Sequence, residues 1–543
     1  MRHARKPPLM RGFRAIVLAC VVACSLAACT HVSRGVHSGG NTLVVAVQKE
    51  PIALDPLLLE GVSAYTFSEL IYSYLTNYDA NGRIVPDLSS DVPTPTNGGV
   101  SADGRRLTYH LRKNVRWQDG TAVTSRDVVF TYRAVMSPAN NVPARIGYDE
   151  VSSVVAPDPY TVVVTLKRPY SPIVALFFGG DSNYPILPAH LLADKSSLNS
   201  LGFNSAPVGS GPYALDRWER GDRLTFNANP SYYAGKPKIQ HLVLPIVPND
   251  STTIDQLQSG EVDAAFMLDA SRIGQLRAIP KHRVVVTPVP YFYALGFNLE
   301  DPILRDLSVR RAFALAIDRR SLTQKITQGV YNADTALRGL FTWAYDPNVK
   351  LPPFDPLQAA ALLTKDGWVP GPNGIRMKDG RPLHLEISFA AGQGITTRFA
   401  TAVGAAERAV GIDVSMRQYD RTQFLSNEGP MMQGHYQITL YNYQATYDPD
   451  VSWLLACDQR GPHGFNDTRF CDASVDALLA RGAASFDRST RTAAYAEIQR
   501  KLATALPYVF LCQVSEVDVI PNNLQGFAPP LLSPFNSVAS WRY

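Results

Sequence analysis

Several chemical signatures of common enzymes are missing from this sequence of 543 residues. It has no HExxH zinc motif, no phosphate-binding loop, no GxSxG nucleophile elbow and no GxGxxG after a strand. The histidines beyond residue 28 are scattered, and no two have the helical spacing of a metal-ligand pair. Asp448 and Asp450 are paired carboxylates, but a turn or helix cap explains them at least as well as acid–base chemistry. The sequence therefore predicts a protein that is not an enzyme and has no resident metal or cofactor.

Cysteine is also scarce, and no CxxC pair occurs that would indicate redox or zinc chemistry. Cys457 and Cys471 enclose a polar loop and are the best pair for a disulfide. Cys512 lies in the apolar run PYVFLCQV and is predicted to be a buried thiol.

The N-terminus is predicted to be a processing segment rather than part of the fold. Basic residues precede an apolar core, Ala15–Ala28, that is short for a membrane span. The sequence then reads Leu-Ala-Ala-Cys and resembles a bacterial lipobox, which implies a signal peptide at 1–28 and a lipid on Cys29. An ordinary secretory signal with an incidental cysteine is the alternative. Residues 29–40 are small and polar and predict a flexible tether. If the host has two membranes, Thr30 after the lipobox favours the outer one.

Removing the signal also removes the positive charge. The formal net charge of +5 comes from 52 basic and 47 acidic residues, and five basic and no acidic residues precede Cys29. The mature chain therefore has 47 of each and a net charge of zero. Bulk charge gives no indication of nucleic-acid binding.

The rest of the chain alternates strand and helix patterns without repeats, which predicts mixed α/β domains. The stretch Tyr291–Leu322 shows this best. Tyr291–Leu299 predicts a buried strand, Asp306–Ser308 can cap a helix, and Asp318 can cap a second helix that ends near Gly329. Separate strands are predicted at 284–289 and 506–519. The chain is longer than the chains that usually fold around a single hydrophobic core, so two or more domains are expected.

Tyrosines are concentrated near predicted strand ends, especially at Tyr441, Tyr443 and Tyr447, beside Asn442. Tyrosine offers a large amphipathic contact area that suits a pocket for a polar ligand. Core packing beside a sheet explains residues 441–447 equally well, and it is the favoured explanation for the aromatic residues at 291–293.

Five segments, taken in order, resemble one family of proteins. Its members are the extracellular solute-binding proteins of the dipeptide/oligopeptide type (family 5), which serve ABC importers. The segments are LTYHLRKNVRWQDGTAVTSRDVVFTYR at 107–133, PVGSGPY at 207–213, NPSYYAGKPKI at 229–239, LQSGEVDA at 257–264, and LGFNL followed by VRRAFALAIDR at 295–319. The resemblance covers nearly all of the mature chain.

The resemblance implies an α/β, two-lobed periplasmic-binding-protein fold of class II, cluster C type, with two crossing hinge strands. On this chain the first lobe would be 41–292 plus 511–543, with an extra subdomain at about 76–206. The second lobe would be 293–510. Tyr291–Leu299 and the strand at 506–519 would form the hinge, and the helices at 308–328 would be scaffold. Ligand would lie between the lobes, and closure requires that it bind the closed state better than the open one.

The implied function is that of a lipid-anchored substrate-binding protein of an ABC importer. It would be exported to the cell envelope, monomeric, and would deliver peptides or peptide-like solutes to a membrane permease. The candidate ligand-binding residues are Tyr441, Asn442, Tyr443 and Asp448 in the second lobe, with Tyr65 and Ser210 in the first. The family resemblance also supports the disulfide between Cys457 and Cys471.

One position departs from the family pattern. Peptide binders of this family carry an Asp shortly before an Asp-Pro-Asp-like turn, and that Asp pairs with the α-amino group of the ligand. Here Ala445 aligns with it, before Asp448-Pro449-Asp450, although Asp448 could serve instead. This departure favours a second hypothesis with the same fold and a non-peptide ligand, such as an oligosaccharide, a metal chelate or haem. An exported hydrolase is the remote third hypothesis.

Overall fold

Two long antiparallel strands run through the middle of the molecule and organise the rest of it. They are seen in a computed structural model, which describes residues 41–58, 62–182, 184–392, 394–462, 464–529 and 534–543. The predicted signal peptide and the whole of the predicted tether, including Cys29, lie outside these residues. Every helix in the described part of the chain is too short or too polar to cross a bilayer.

The strands that follow are numbered in chain order. They are β1 Thr42–Ala46, β2 Thr76–Tyr78, β3 Ile84–Pro86, β4 Arg106–His110, β5 Val151–Asp158, β6 Thr161–Leu166, β7 Tyr213–Glu219, β8 Arg223–Ala228, β9 His241–Pro245, β10 Ala264–Ala265, β11 His282–Phe297, β12 Val369–Pro370, β13 Arg376–Lys378, β14 Arg381–Pro382, β15 His384–Ala390, β16 Asp413–Tyr419, β17 Ile438–Gln444 and β18 Tyr508–Pro521.

The helices are numbered in the same way. They are α1 Val62–Ile71, α2 Ser125–Met136, α3 Ile173–Leu176, α4 Ala189–Leu192, α5 Asp250–Ser259, α6 Ile273–Arg277, α7 Leu307–Ala316, α8 Arg319–Thr327, α9 Arg338–Phe341, α10 Pro356–Lys365, α11 Gly394–Ala409, α12 Arg421–Leu425, α13 Pro430–Gln433, α14 Ser452–Leu455, α15 Ala473–Ala484 and α16 Arg488–Ala505.

A ten-stranded sheet has the order β16-β15-β17-β11-β18-β10-β1-β9-β8-β7. The long strands β11 and β18 are its central pair, in register from His282 opposite Pro521 to Gly296 opposite Tyr508. The strands predicted separately at 284–289 and 291–299 are thus one strand, so that separation was wrong. The register is irregular between Pro288 and Phe292, where prolines cannot donate to the ladder, and the strand continues past this point.

The predicted caps around Tyr291–Leu322 are confirmed. The Asp306 side chain accepts a hydrogen bond from the backbone N–H of Ser308 at the start of α7, and Asp318 accepts one from Ser321 at the start of α8. These carboxylates satisfy N–H groups that a helix leaves unpaired in its first turn. The helix pair packs into a hydrophobic cluster on one face of the central sheet.

Away from the ten-stranded sheet, a smaller antiparallel sheet of order β4-β6-β5 packs with α2. Its apolar residues join a core cluster that includes Leu43, Trp117 and Trp541, so the C-terminal segment folds back onto this part of the chain. A separate cluster packs α9 against α15 and α16 near Phe292 and Phe510 of the central strands. The apolar cores thus lie toward opposite ends of the β11–β18 pair.

Candidate ligand-binding cleft

Strand direction locates a crevice across the β11–β18 pair. β1, β9 and β10 are parallel to one another and end at Ala46, Pro245 and Ala265. β15, β16 and β17 are parallel and end at Ala390, Tyr419 and Gln444. Because β10 pairs antiparallel with β18, β18 with β11 and β11 with β17, the two groups run in opposite directions.

The carboxyl ends of the two groups therefore face each other. Ala265 lies level with Val519 and Val284 on the long strands, whereas Gln444 lies level with Tyr291. Seven residues of strand separate those levels, or about 24 Å at roughly 3.4 Å per residue. Ligands of open α/β sheets bind outside the carboxyl ends of the strands, so this crevice is the candidate site.

Three of the residues predicted to bind ligand, Tyr441, Asn442 and Tyr443, lie on β17 close to the end that faces the crevice. Tyr441 is half-buried, and its hydroxyl accepts a hydrogen bond from Arg421 Nη2 at 3.2 Å. Asn442 pairs across the ladder with Tyr293, and its Oδ1 is buried without a hydrogen-bond partner among the described residues. Both side chains therefore retain polar capacity near the crevice.

Tyr443 lies in the core instead. Its ring stacks on Phe292 with centroids 5.1 Å apart and planes 11° apart. Its hydroxyl donates to Asp467 Oδ2 at 2.6 Å, and Asp467 also accepts from Thr439 at 2.7 Å and Tyr508 at 2.7 Å. Burial raises the pKa of the Asp467 carboxyl, and the three hydroxyl donors oppose that rise. The Tyr443 hydroxyl is thus engaged within the fold.

Asp448 is held by a buried guanidinium. Arg491 of α16 donates to Asp448 Oδ2 from Nη1 at 2.8 Å and to Oδ1 from Nη2 at 2.5 Å. Each side chain of the pair is 8% exposed. Burial opposes the charge of Arg491, but neighbouring Asp448 raises the pKa of the guanidinium overall. Planar two-point pairing of this kind leaves the carboxylate little capacity for a ligand.

The other two candidates, Ser210 and Tyr65, belong to the part of the chain around α1. Ser210 is fully buried; its carbonyl accepts from Ser73 Oγ at 3.3 Å, and its Oγ has no partner among the described residues. The loop around it packs so tightly on α1 that a Cβ at Gly209 would lie 1.7 Å from the Ile71 carbonyl oxygen. Tyr65 belongs to α1, but its side chain lies outside the described residues.

The structure thus brings Tyr441, Asn442 and Tyr443 together on one strand and places Asp448 just beyond its end, while Ser210 lies buried against the end of α1. Ala445 is buried, and its N–H donates to the Pro290 carbonyl at 2.8 Å. The described residues contain no cluster of three or more histidine, cysteine or acidic side chains that could hold a metal.

Two residues near the crevice were missed by the sequence reasoning. Arg421 begins α12, just beyond the end of β16, and contacts Tyr441. Asp181 follows Gly179-Gly180, and its carboxylate bonds the backbone of residues 447 and 448. The Gly-Gly-Asp sequence indicates a tight turn, but nothing in it identifies a partner 266 residues away.

The disulfide is present between Cys457 and Cys471, which are 14 residues apart. Cys512 is buried and free, as its apolar surroundings predicted. Burial raises the pKa of this thiol to about 12, so it is protonated and unreactive.

Comparison with known proteins assigns this chain to a family. The model of the bacterial extracellular solute-binding proteins, family 5 (middle region), matches residues 83–462. The chain belongs to this family. The family assignment made from the five sequence segments is therefore confirmed.

Curated relatives match along almost the whole chain. Protein XP55 of Streptomyces lividans is 28% identical over 99% of this chain and 96% of its own length. The oligopeptide-binding protein AppA of Bacillus subtilis is 24% identical over 91% of this chain and 90% of its own. The nickel-binding periplasmic protein of Escherichia coli is 24% identical over 82% of this chain and 84% of its own.

Solved structures share the fold. NikZ from Campylobacter jejuni, in complex with Ni(L-His), has a TM-score of 0.77 and 25% identity over 93% of this chain and all of its own. AppA from Bacillus subtilis, in complex with a nonapeptide, has a TM-score of 0.72 and 21% identity over 92% of this chain and 98% of its own. The two-lobed periplasmic-binding-protein fold is thereby confirmed.

Proposed function

We propose that this protein is the substrate-binding component of an ABC importer and that it captures peptides or peptide-like solutes in the cleft. The first lobe comprises residues 41–292 and 511–543, with an extra subdomain at about 76–206, and the second comprises 293–510. The protein acts by binding and release, without catalysis, and hands its solute to the permease. The facing carboxyl ends of the two strand groups, in a chain of the solute-binding family, carry this proposal.

Tyr441 and Asn442 are the second-lobe residues best suited to contact solute. Tyr441 is half-buried beside Arg421, and the Asn442 amide oxygen is unpaired among the described side chains. An extended peptide would add main-chain hydrogen bonds at the strand ends, with side chains in permissive pockets. Tyr443 and Asp448 then act by supporting the wall, since each already bonds within the fold.

The decisive experiment is native mass spectrometry of the purified mature chain, because a tightly held solute survives purification. A thermal-shift screen with di-, tri- and longer peptides, oligosaccharides, haem and nickel–histidine follows it. We expect peptides to raise the melting temperature. If only another class of solute raises it, the peptide hypothesis is wrong.

A non-peptide solute is the second candidate, and a specific observation favours it. Ala445, which is buried, offers no charge to a ligand ammonium group, and the nearby Asp448 carboxylate is paired with Arg491. Relatives with this fold include one solved with Ni(L-His) and one from Brucella suis solved with Fe(III)-EDTA. A metal chelate is the non-peptide class to test first.

The anchor is a lipid on Cys29, which holds a monomeric protein on the periplasmic side of the cell envelope. The Leu-Ala-Ala-Cys sequence after an apolar run supports this proposal. A Cys29→Ser variant should appear in the soluble fraction after cell lysis. Unchanged membrane association of that variant would exclude lipid anchoring at this cysteine.

A further inference from the structure

A carboxylate from the proposed first lobe caps a turn of the second. Asp181 Oδ1 accepts a hydrogen bond from the backbone N–H of Tyr447 at 3.0 Å, and its Oδ2 accepts from that of Asp448 at 3.1 Å. Tyr78 holds the carboxylate from its own side, with its hydroxyl donating to Oδ2 at 2.7 Å. Asp181 is only 8% exposed, so these bonds form out of water.

The surrounding surfaces are shaped to fit this contact. The rings of Tyr78 and Tyr447 lie with centroids 4.0 Å apart. Gly82, in the turn between β2 and β3, leaves space for the Tyr447 ring: a Cβ there would lie 2.5 Å from Tyr447 Cε1. Its φ of +71° also favours glycine. A flexible surface encounter would not require such a close fit.

Two further bonds extend the contact along the same rim. Tyr170 donates its hydroxyl to Asp450 Oδ2 at 3.3 Å. The backbone N–H of Ser171 donates to the Ala483 carbonyl at 2.6 Å. The contact thus joins segment 170–181 and the β2–β3 hairpin to the 447–450 turn and the end of α15.

We propose that Asp181 is a positioning residue for solute binding, which holds the two lobes together before solute enters and so sets the affinity for it. Asp181 acts through the 447–448 turn and does not touch solute. The inference rests on the proposed division into lobes. The apparent dissociation constant equals the intrinsic one divided by the fraction of solute-free protein in the closed, binding-competent form. A larger closed fraction therefore gives tighter apparent binding. Removing the contact should therefore open the solute-free protein and lower its affinity for every solute by the same factor.

The test uses the solute-free protein, so it does not depend on the identity of the solute. The full chain is stripped of co-purified solute by unfolding and refolding, and native mass spectrometry confirms the mass of the chain alone. Small-angle X-ray scattering then reports the radius of gyration. Hydrogen–deuterium exchange reports protection of the amides of residues 446–450 and, separately, of β11 and β18.

Asp181→Ala removes the acceptor for both N–H groups. We expect a larger radius of gyration and exchange at residues 446–448 and 450 that is about tenfold faster or more, because the N–H groups of residues 447 and 448 both lose their acceptor. Exchange in β11 and β18 should stay unchanged, which shows that the fold is intact. Tyr78→Phe, which removes only the hydroxyl that fixes Asp181, should give a smaller increase of about threefold. It also provides the test if Asp181→Ala fails to refold.

The matched control is Asp194→Ala, which removes an exposed carboxylate paired with Lys195 in the same part of the chain. It should behave like the wild type. Three results would overturn the proposal: an already open wild type, an Asp181→Ala variant as compact as the wild type, or faster exchange at 446–450 with no change in the radius of gyration. Failure of the peptide hypothesis would appear only in the solute screen and leaves this outcome untouched.

Discussion

Replacing Tyr443 with phenylalanine separates a structural role from a ligand-binding one. The substitution removes the hydroxyl and keeps the ring, so the stacking on Phe292 at 5.1 Å survives. It deletes the 2.6 Å hydrogen bond to Asp467 Oδ2 and leaves that oxygen with Thr439 as its donor. The matched variant is Tyr441→Phe, two residues along the same strand, which removes a hydroxyl that contacts exposed Arg421.

The magnitudes follow from burial. A hydrogen bond to a charged group contributes about 1.5–3 kcal/mol, and its loss inside the protein is not repaid by water. Asp467 keeps two of its three donors, so we expect Tyr443→Phe to lower the free energy of unfolding by about 2 kcal/mol. Tyr441→Phe should lower it by less than about 0.5 kcal/mol, because its partner is on the surface.

The assay is urea unfolding of both variants beside the wild type, followed by circular dichroism, with the slope of the transition checked for constancy. Solute retention is measured on the same samples by native mass spectrometry. Tyr443→Phe should unfold at lower urea and retain solute, whereas Tyr441→Phe should keep its stability and lose solute. In an Asp467→Asn background, the cost of Tyr443→Phe should shrink, because the pair is then already weakened.

The opposite pattern would refute this reasoning. If Tyr443→Phe has wild-type stability and loses its solute, then the hydroxyl faces the ligand and the Asp467 contact is incidental. If both variants lose solute equally without a change in stability, both hydroxyls contact solute and the purely structural role given to Tyr443 is wrong.

Three further changes test the buried charges. Asp448→Ala leaves the Arg491 guanidinium buried without its partner and should cost about 3–5 kcal/mol in urea unfolding, with a smaller cost in an Arg491→Met background; an equal cost in both would contradict the pairing. Burial raises the pKa of Asp55 from its ordinary 3.8 to about 7, so the folded state binds the proton more tightly. The free energy of unfolding should therefore fall as pH rises from about 4 to about 7 and then level off, and Asp55→Asn should flatten the slope over this same interval. Glu407 is fully buried, with both carboxylate oxygens unpaired among the described residues, and burial raises its pKa, so Glu407→Met should raise the melting temperature at pH 7; a lower one would reveal a hidden partner.

Local signals predicted local structure. Asp306 and Asp318 cap α7 and α8 because side-chain capping depends on residues two or three positions away. The disulfide was predictable because its cysteines lie 14 residues apart around one polar loop. The family segments at 107–133 and 295–319 predicted the fold, since several such matches in order are specific.

Contacts between distant residues were not predictable. Alternation along β17 indicates that Tyr441 and Tyr443 lie on the same face of the strand. Tyr441 is only half-buried, whereas Tyr443 is buried and bonds Asp467, and the alternation does not predict this difference. In the sequence, the Asp448 side chain is a plausible ligand contact. The fold places Arg491, 43 residues later, against it. Separate strands were predicted at 284–289 and 291–299, yet pairing with the distant strand β18 on both sides of residue 290 makes them one.

The place of β18 in the sheet has a consequence for the order of folding. This strand, at residues 508–521, lies between β11 and β10 and joins the two groups of strands in the described sheet. Until it inserts, the sheet consists of two separate pieces, each with an unpaired edge open to aggregation. Pairing of this long range is slow to form. Insertion of β18 thus completes both halves of the sheet together, and a fragment that ends before residue 508 would lack a strand that each half needs. During synthesis, the native sheet can close only after the ribosome has passed residue 521.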